Sequence, residues 1–117
     1  MILCVVDDLM FSVKISSAAK AVQAPIAFER VPRAVLSRIR DERPSLVIFD
    51  LNSSRLAPLD TIAAIKADPD LRATRTLGYV SHVQGDLIAA ARQAGCDEVL
   101  ARSAFSEKLC AILAAAS

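Results

Sequence analysis

The sequence has few of the residues on which disulfide-stapled and zinc-bound folds depend. Its 117 residues include three cysteines, one histidine and no tryptophan. The cysteines (Cys4, Cys96 and Cys110) are odd in number, and no two have CxxC spacing. Neither a disulfide framework nor a Cys/His zinc site is therefore expected. We interpret the three as small thiols in a reducing cytoplasm.

Glycine and excess charge are also scarce. Only Gly78, Gly85 and Gly95 are present, and no GxGxxG or phosphate-binding loop can be built from them, which disfavours nucleotide-binding enzymes. With 14 Lys and Arg against 13 Asp and Glu, the net charge of +1 argues against binding to nucleic acid or to a membrane surface.

Long apolar runs are missing too, so no segment is expected to cross a bilayer. The start has no basic region and reaches Asp7 and Asp8 early, which is not the pattern of a signal peptide. Hydrophobic residues still make up 54% of the chain, enough to bury a core. We expect one domain over residues 1–117.

Short apolar runs alternate with helical patterns along the whole chain. Continuous apolar runs are typical of strands buried on both faces, and residues at helical spacing mark one apolar stripe per helix. This alternation predicts an α/β fold, a doubly wound five-stranded parallel sheet with helices on both faces. The five predicted strands are Ile2–Val6, Ile26–Phe28, Leu46–Phe49, Leu77–Val80 and Glu98–Ala101.

Residues with particular backbone or capping preferences predict where three helices begin or end. Asp8 is placed to cap the first helix, since anions are favoured at helix N-termini. Gly95 suits the position just after the fourth helix, and Ser106 is a candidate N-cap for the last.

Charged and hydroxyl side chains follow four of the predicted strands. Because parallel strands end at one edge of a sheet, we expect Asp7, Asp8, Asp50, Ser81 and Arg102 to gather there. Three close carboxylates repel one another unless a cation neutralises them, and Mg²⁺ prefers such oxygen ligands. An Asp beside that metal ion can attack a phosphoryl group. The hydroxyl of Ser81 and the positive charge of Arg102 would then hold the phosphoryl oxygens.

A plainer interpretation stays open for each of these residues. The acids would then only cap helices, and Arg102 would only balance charge through a salt bridge to Asp7 or Asp8. His82 has two interpretations as well, a gate over the pocket or an ordinary surface histidine on a loop.

Four blocks, in this order and spacing, resemble the receiver domains of two-component response regulators over essentially the whole chain. They are ILCVVDD (Ile2–Asp8), RPSLVIFDLN (Arg43–Asn52), GYVSH (Gly78–His82) and AGCDEVLARSAF (Ala94–Phe105). The resemblance implies a flavodoxin-like sheet of order 2-1-3-4-5.

The resemblance also implies roles for the residues of the pocket. Asp50 would be the phosphoacceptor, and Mg²⁺ would be held by Asp8, Asp50 and the backbone carbonyl of Asn52, with Asp7 acting through a metal-bound water. Ser81 would hydrogen-bond the phosphoryl group, and Arg102 would bind it as well.

Several positions depart from the family pattern. Arg102 and Ser103 stand where the family has Lys followed by Pro, and Arg is larger and planar. Val99 stands where the aromatic switch residue is expected, and His82 stands where a small residue usually follows the Ser or Thr. These changes leave the acidic pocket intact but alter the residues that would respond to phosphorylation.

From the resemblance we expect a cytoplasmic, non-enzymatic signalling domain, with at most self-catalysed phosphoryl transfer to Asp50. A histidine kinase or phosphotransfer protein would donate the phosphoryl group. An output protein or a second copy of the chain would bind the phosphorylated form. The alternative is a pseudo-receiver, a binding module that does not depend on phosphorylation. A phosphatase of the haloacid dehalogenase type is weaker, because Asn52 stands where its second acid would be.

Overall fold

The computed structural model describes residues 1–81 and 84–117, and contains one five-stranded sheet. All paired strands are parallel, in the order β2-β1-β3-β4-β5. The predicted sheet and its order are confirmed. The strands are β1 (Ile2–Val5), β2 (Ile26–Phe28), β3 (Leu46–Asp50), β4 (Thr76–Val80) and β5 (Glu98–Ala101).

In the described residues, five α-helices cover the two faces of this sheet. The helices α1 and α5 pack over one face, while α2, α3 and α4 pack over the other, as predicted for a doubly wound fold. The helices are α1 (Leu9–Val22), α2 (Val35–Glu42), α3 (Pro58–Ala67), α4 (Gly85–Gln93) and α5 (Arg102–Ala116). Short 3₁₀ turns at Pro32–Ala34 and Ser54–Leu56 precede α2 and α3.

The central strand β1 is apolar at every position because both of its faces are covered. In β1, Ile2 and Cys4 point into the core beneath α1 and α5, whereas Leu3 and Val5 point into the opposite core. All four residues are fully buried. The run of apolar residues that predicted a central strand is thus the physical consequence of two cores.

Two of the three predicted helix boundaries are confirmed. The side chain of Asp8 accepts a hydrogen bond from the backbone N–H of Phe11 and so caps α1. Gly95 follows α4 with a φ of 102°, a conformation that favours glycine. The prediction that Ser106 caps α5 is wrong, because β5 passes directly into α5 at Arg102 and Ser106 lies inside the helix.

Of the helices that the structure describes, none is long and apolar enough to cross a membrane.

Candidate functional site

The polar residues predicted to gather at one edge of the sheet lie at or beside the carboxyl ends of its strands. Asp7 and Asp8 follow β1, and Asp50 is the last residue of β3. Ser81 follows β4, and Arg102 is the first residue of α5. We call this group, together with the side chains that contact it, the acidic pocket.

Asp50 is the half-buried acid of the pocket. Its Oδ1 accepts a hydrogen bond of 3.0 Å from the backbone N–H of Asn52. Burial raises the pKa of Asp50 above its ordinary value, and the negative charges of Asp8 and Asp7 raise it further, against the opposing effects of the Asn52 bond and Arg102. The fold therefore shifts the pKa of Asp50 towards the neutral form, whereas it lowers the pKa of Asp7.

Asp8 has a partner for each of its two oxygens. Its Oδ1 caps α1 at 3.1 Å from the N–H of Phe11, and its Oδ2 accepts a bond of 2.8 Å from Arg102. The Arg102 guanidinium also lies over the Phe11 ring, 4.6 Å from its centre. The interpretation of Arg102 as a charge-balancing partner of Asp8 is the one that this structure contains.

Asp7 is held by a residue that the sequence did not single out. Arg55 donates two hydrogen bonds of 2.9 Å, one to each carboxylate oxygen, and a third of 2.9 Å to the backbone carbonyl of Arg30. The bonds from Arg55 lower the pKa of Asp7. The sequence offered only a weak signal, a single cation in the polar segment between Asn52 and Pro58.

Asn52 links the ends of two neighbouring strands. Its side-chain oxygen accepts a bond of 2.7 Å from the backbone N–H of Ser81, and its Nδ2 donates to Gln84 at 2.7 Å. The loop after β3, which carries Asn52, is thereby fixed to the segment that follows β4. His82, the predicted gate, lies outside the described residues.

Three stacked aromatic rings lie in the core beneath Arg102. The centres of Phe11 and Tyr79 are 4.7 Å apart, and those of Tyr79 and Phe105 are 4.9 Å apart. Val99, at the position of the family's switch residue, packs on the opposite face of the sheet. The Phe11 ring is buried in α1 and covered by the Arg102 guanidinium.

The pocket's residue types suit a hard divalent cation, but their present partners do not leave them free. Three carboxylates and a backbone carbonyl are oxygen donors of the kind that Mg²⁺ takes. Over residues 1–81 and 84–117, however, no three His, Cys, Asp or Glu side chains are grouped so that they could hold a metal ion. Asp7 and Asp8 are instead paired with arginines.

A groove of about 510 Å³ runs along α1 and α5 beside the pocket. Its lining includes Met10, Lys14, Ser81, Arg102 and Ser103. The neighbouring surface of α1 is unusually apolar, since Leu9 is 74% exposed and Met10 is 84% exposed.

Solved structures that resemble this chain are response regulators. A response regulator from Hahella chejuensis superposes with a TM-score of 0.85 at 17% identity, over 96% of this chain and 90% of that one. The Mn²⁺-bound form of the response regulator Rcp1 gives a TM-score of 0.81 at 19% identity, over 95% and 89%. The phosphorylated cyanobacterial phytochrome response regulator RcpA gives 0.80 at 22%, over 97% and 88%.

No protein-family model matches the sequence, and no curated protein matches it either. The structural similarity nevertheless extends over nearly the full length of both chains in each pair. The strand order and the helices on both faces agree with it. The chain therefore has the fold of the response-regulator receiver domains, as its sequence predicted.

Proposed function

We propose that this chain is a cytoplasmic signalling receiver that accepts a phosphoryl group on Asp50 and thereby changes its binding to another protein. The observation that carries the proposal is the position of Asp50, half-buried at the end of a central strand with one oxygen fixed by Asn52. Among the described residues, Oδ1 is the only carboxylate oxygen of Asp50 with a hydrogen-bond partner. Oδ2 is thus the oxygen we assign as nucleophile.

The phosphoryl transfer has a simple balance. The Asp50 carboxylate attacks phosphorus, and a P–O bond forms to give an acyl phosphate. In a phosphohistidine donor the P–N bond breaks, and the imidazole leaves with the electron pair. Burial and the neighbouring acids raise the pKa of Asp50, and a more basic carboxylate is a stronger nucleophile.

Mg²⁺ is the cofactor that we propose for this step. Asp8, Asp50 and the backbone carbonyl of Asn52 would hold it, and Asp7 would contribute through a water. When bound, the cation would neutralise the carboxylates and the phosphoryl oxygens. Ser81 and Arg102 would donate hydrogen bonds to the phosphoryl group. His82 as a gate remains an expectation.

A protein donor and a protein output are the partners that we propose, rather than nucleic acid or membrane. The donor would be a histidine kinase or a phosphotransfer protein. The exposed Leu9, Met10 and Val13 on α1 support this, since a contiguous apolar surface beside a reactive group is typical of protein contact. A second copy of the chain is the other candidate output partner.

Intact-mass measurement tests the proposal. The protein is incubated with Mg²⁺ and a small phosphodonor such as acetyl phosphate, and its mass is read with and without the donor. We expect one added phosphoryl group, absent from Asp50→Asn. A matched Asp60→Asn variant, changed at an exposed acid of α3, should still gain the group. No adduct under conditions that label an ordinary receiver would overturn the proposal.

The pseudo-receiver is the second candidate, and the arginine pairing of Asp7 and Asp8 favours it. A pocket in which two of the three acids are paired with arginines can keep the fold without a cation or a phosphoryl group. The same mass measurement separates the two candidates. The phosphatase alternative loses support, because the Asn52 amide is tied between Ser81 and Gln84 and offers no acid.

A further inference from the structure

Two arginines from separate segments reach into the acidic pocket. Arg55 comes from the 3₁₀ turn before α3 and binds both oxygens of Asp7. Arg102 comes from the first turn of α5 and binds Asp8. Two-point contact between guanidinium and carboxylate is the strongest geometry for such a pair, so the Arg55 contact is a specific one.

These arginines change the charge balance of the pocket. Their two positive charges offset two of the three carboxylate charges of Asp7, Asp8 and Asp50. A divalent cation added with both arginines in place would therefore meet one net negative charge instead of three. It would also bond a carboxylate oxygen at about 2.1 Å, close to a guanidinium bonded to the same carboxylate.

Asp8 makes the conflict sharpest. One of its oxygens is committed to the N-terminus of α1, and the other is bound by Arg102. A cation that approaches this carboxylate must displace one of these donors or lie beside a like charge. The arginine is the donor that can move, because the N–H of Phe11 belongs to the helix backbone.

We propose that Arg55 and Arg102 are built-in counterions of the acidic pocket, and that a divalent cation binds only as they release Asp7 and Asp8. The inference rests on the proposed function, because it concerns the cation site of the same pocket. At rest the two arginines would offset two of the three carboxylate charges of the pocket. Arg102, once released from Asp8, would be free to contact the phosphoryl group on Asp50.

The test is a Mg²⁺ titration followed by the backbone amide NMR signals of Asp8, Asp50 and Asn52, at constant ionic strength. The variants are Arg55→Gln, Arg102→Gln and the double change. Arg40→Gln is the matched control, since it removes the same charge from an Arg–Asp pair of 2.8 Å that lies outside the pocket. Two unit charges about 4 Å apart interact by about 1 kcal/mol in water, which corresponds to roughly fivefold in affinity, and the double charge of Mg²⁺ makes fivefold a lower bound.

We expect each pocket variant to bind Mg²⁺ at least about fivefold more tightly than the wild type, with the control unchanged. In the wild type, the side-chain Nε–H signal of Arg55 should shift as Mg²⁺ is added, which reports its release without any mutation. Equal or weaker binding by both variants, or no Mg²⁺ binding in any of them, would overturn the inference. The phosphoryl adduct is read separately by mass, so its loss alone would overturn only the proposed function.

Discussion

The two ends of the sheet hold their acids in opposite ways. At the amino end of β4 and β5, the single carboxylate of Asp97 accepts bonds from Lys66 at 2.9 Å, from the Thr76 N–H at 2.8 Å and from the Thr76 hydroxyl at 3.1 Å. At the carboxyl end, Asp50 accepts one backbone bond and faces two other acids. Within residues 1–81 and 84–117, Asp97 thus accepts three hydrogen bonds through its carboxylate, whereas Asp50 accepts one.

Asp97 stabilises the fold, whereas the charge of Asp50 destabilises it. Thr76 is 1% exposed, so its N–H needs the partner that Asp97 supplies. In the part of the chain that the structure describes, Asp50 accepts no bond from a comparably buried donor. Burial and the charges of Asp8 and Asp7 all disfavour its charged form. A carboxylate kept at a cost to the fold is a better candidate for chemistry than one that satisfies buried donors.

The largest expected effect on stability comes from removing the Asp97 carboxylate. Asp97→Ala should lower the free energy of unfolding by about 2 kcal/mol, because it leaves the buried N–H of Thr76 without its partner. Urea denaturation monitored by circular dichroism measures this. Glu98→Ala, at the exposed neighbouring residue, should stay within about 0.5 kcal/mol of wild type. Equal stability of both variants would contradict this account of Asp97.

Asp50→Asn should change stability in the opposite direction. Since the folded-state pKa of Asp50 is raised, the folded protein loses stability as the pH rises from the unfolded value of about 3.9 through the folded value. Removing the charge should therefore raise the melting temperature at pH 7, by about 4 °C if the gain is about 1 kcal/mol. The gain should shrink in melts at lower pH. A lower melting temperature at pH 7 would contradict the account in which the charge of Asp50 destabilises the folded protein.

The smallest effect is expected at Asp7, with the opposite sign to Asp50. Its pKa is lowered by Arg55, so the pair contributes stability above the unfolded pKa and loses it as the pH falls through the folded value. Asp7→Asn should therefore slightly lower the melting temperature at pH 7, and the deficit should close in acid. Each Asp→Asn change replaces one carboxylate oxygen with an amide NH2 group, so the melting temperatures of the two variants can be compared directly. A stabilising Asp7→Asn would contradict the Arg55 pairing.

The sheet and its two faces could be predicted because the apolar runs are dictated by burial on both sides. The convergence of Asp7, Asp8 and Asp50 followed from the parallel strands alone. The pairing of Arg55 with Asp7 could not be predicted, because it joins residues 48 positions apart and depends on the path of a loop. The same holds for Lys66 and Asp97, which meet at the far end of the sheet. The Ser106 prediction was wrong because α5 begins at Arg102, directly after β5, with Ala101 at the N-cap position.

The most direct test of the central claim is to identify the residue that carries the phosphoryl group. After treatment with Mg²⁺ and acetyl phosphate, borohydride reduction converts an aspartyl phosphate to homoserine, which peptide mass spectrometry can locate. We predict homoserine at position 50 and at no other acid. Homoserine at Asp7 or Asp8, or none anywhere in a folded and fully treated sample, would contradict the account.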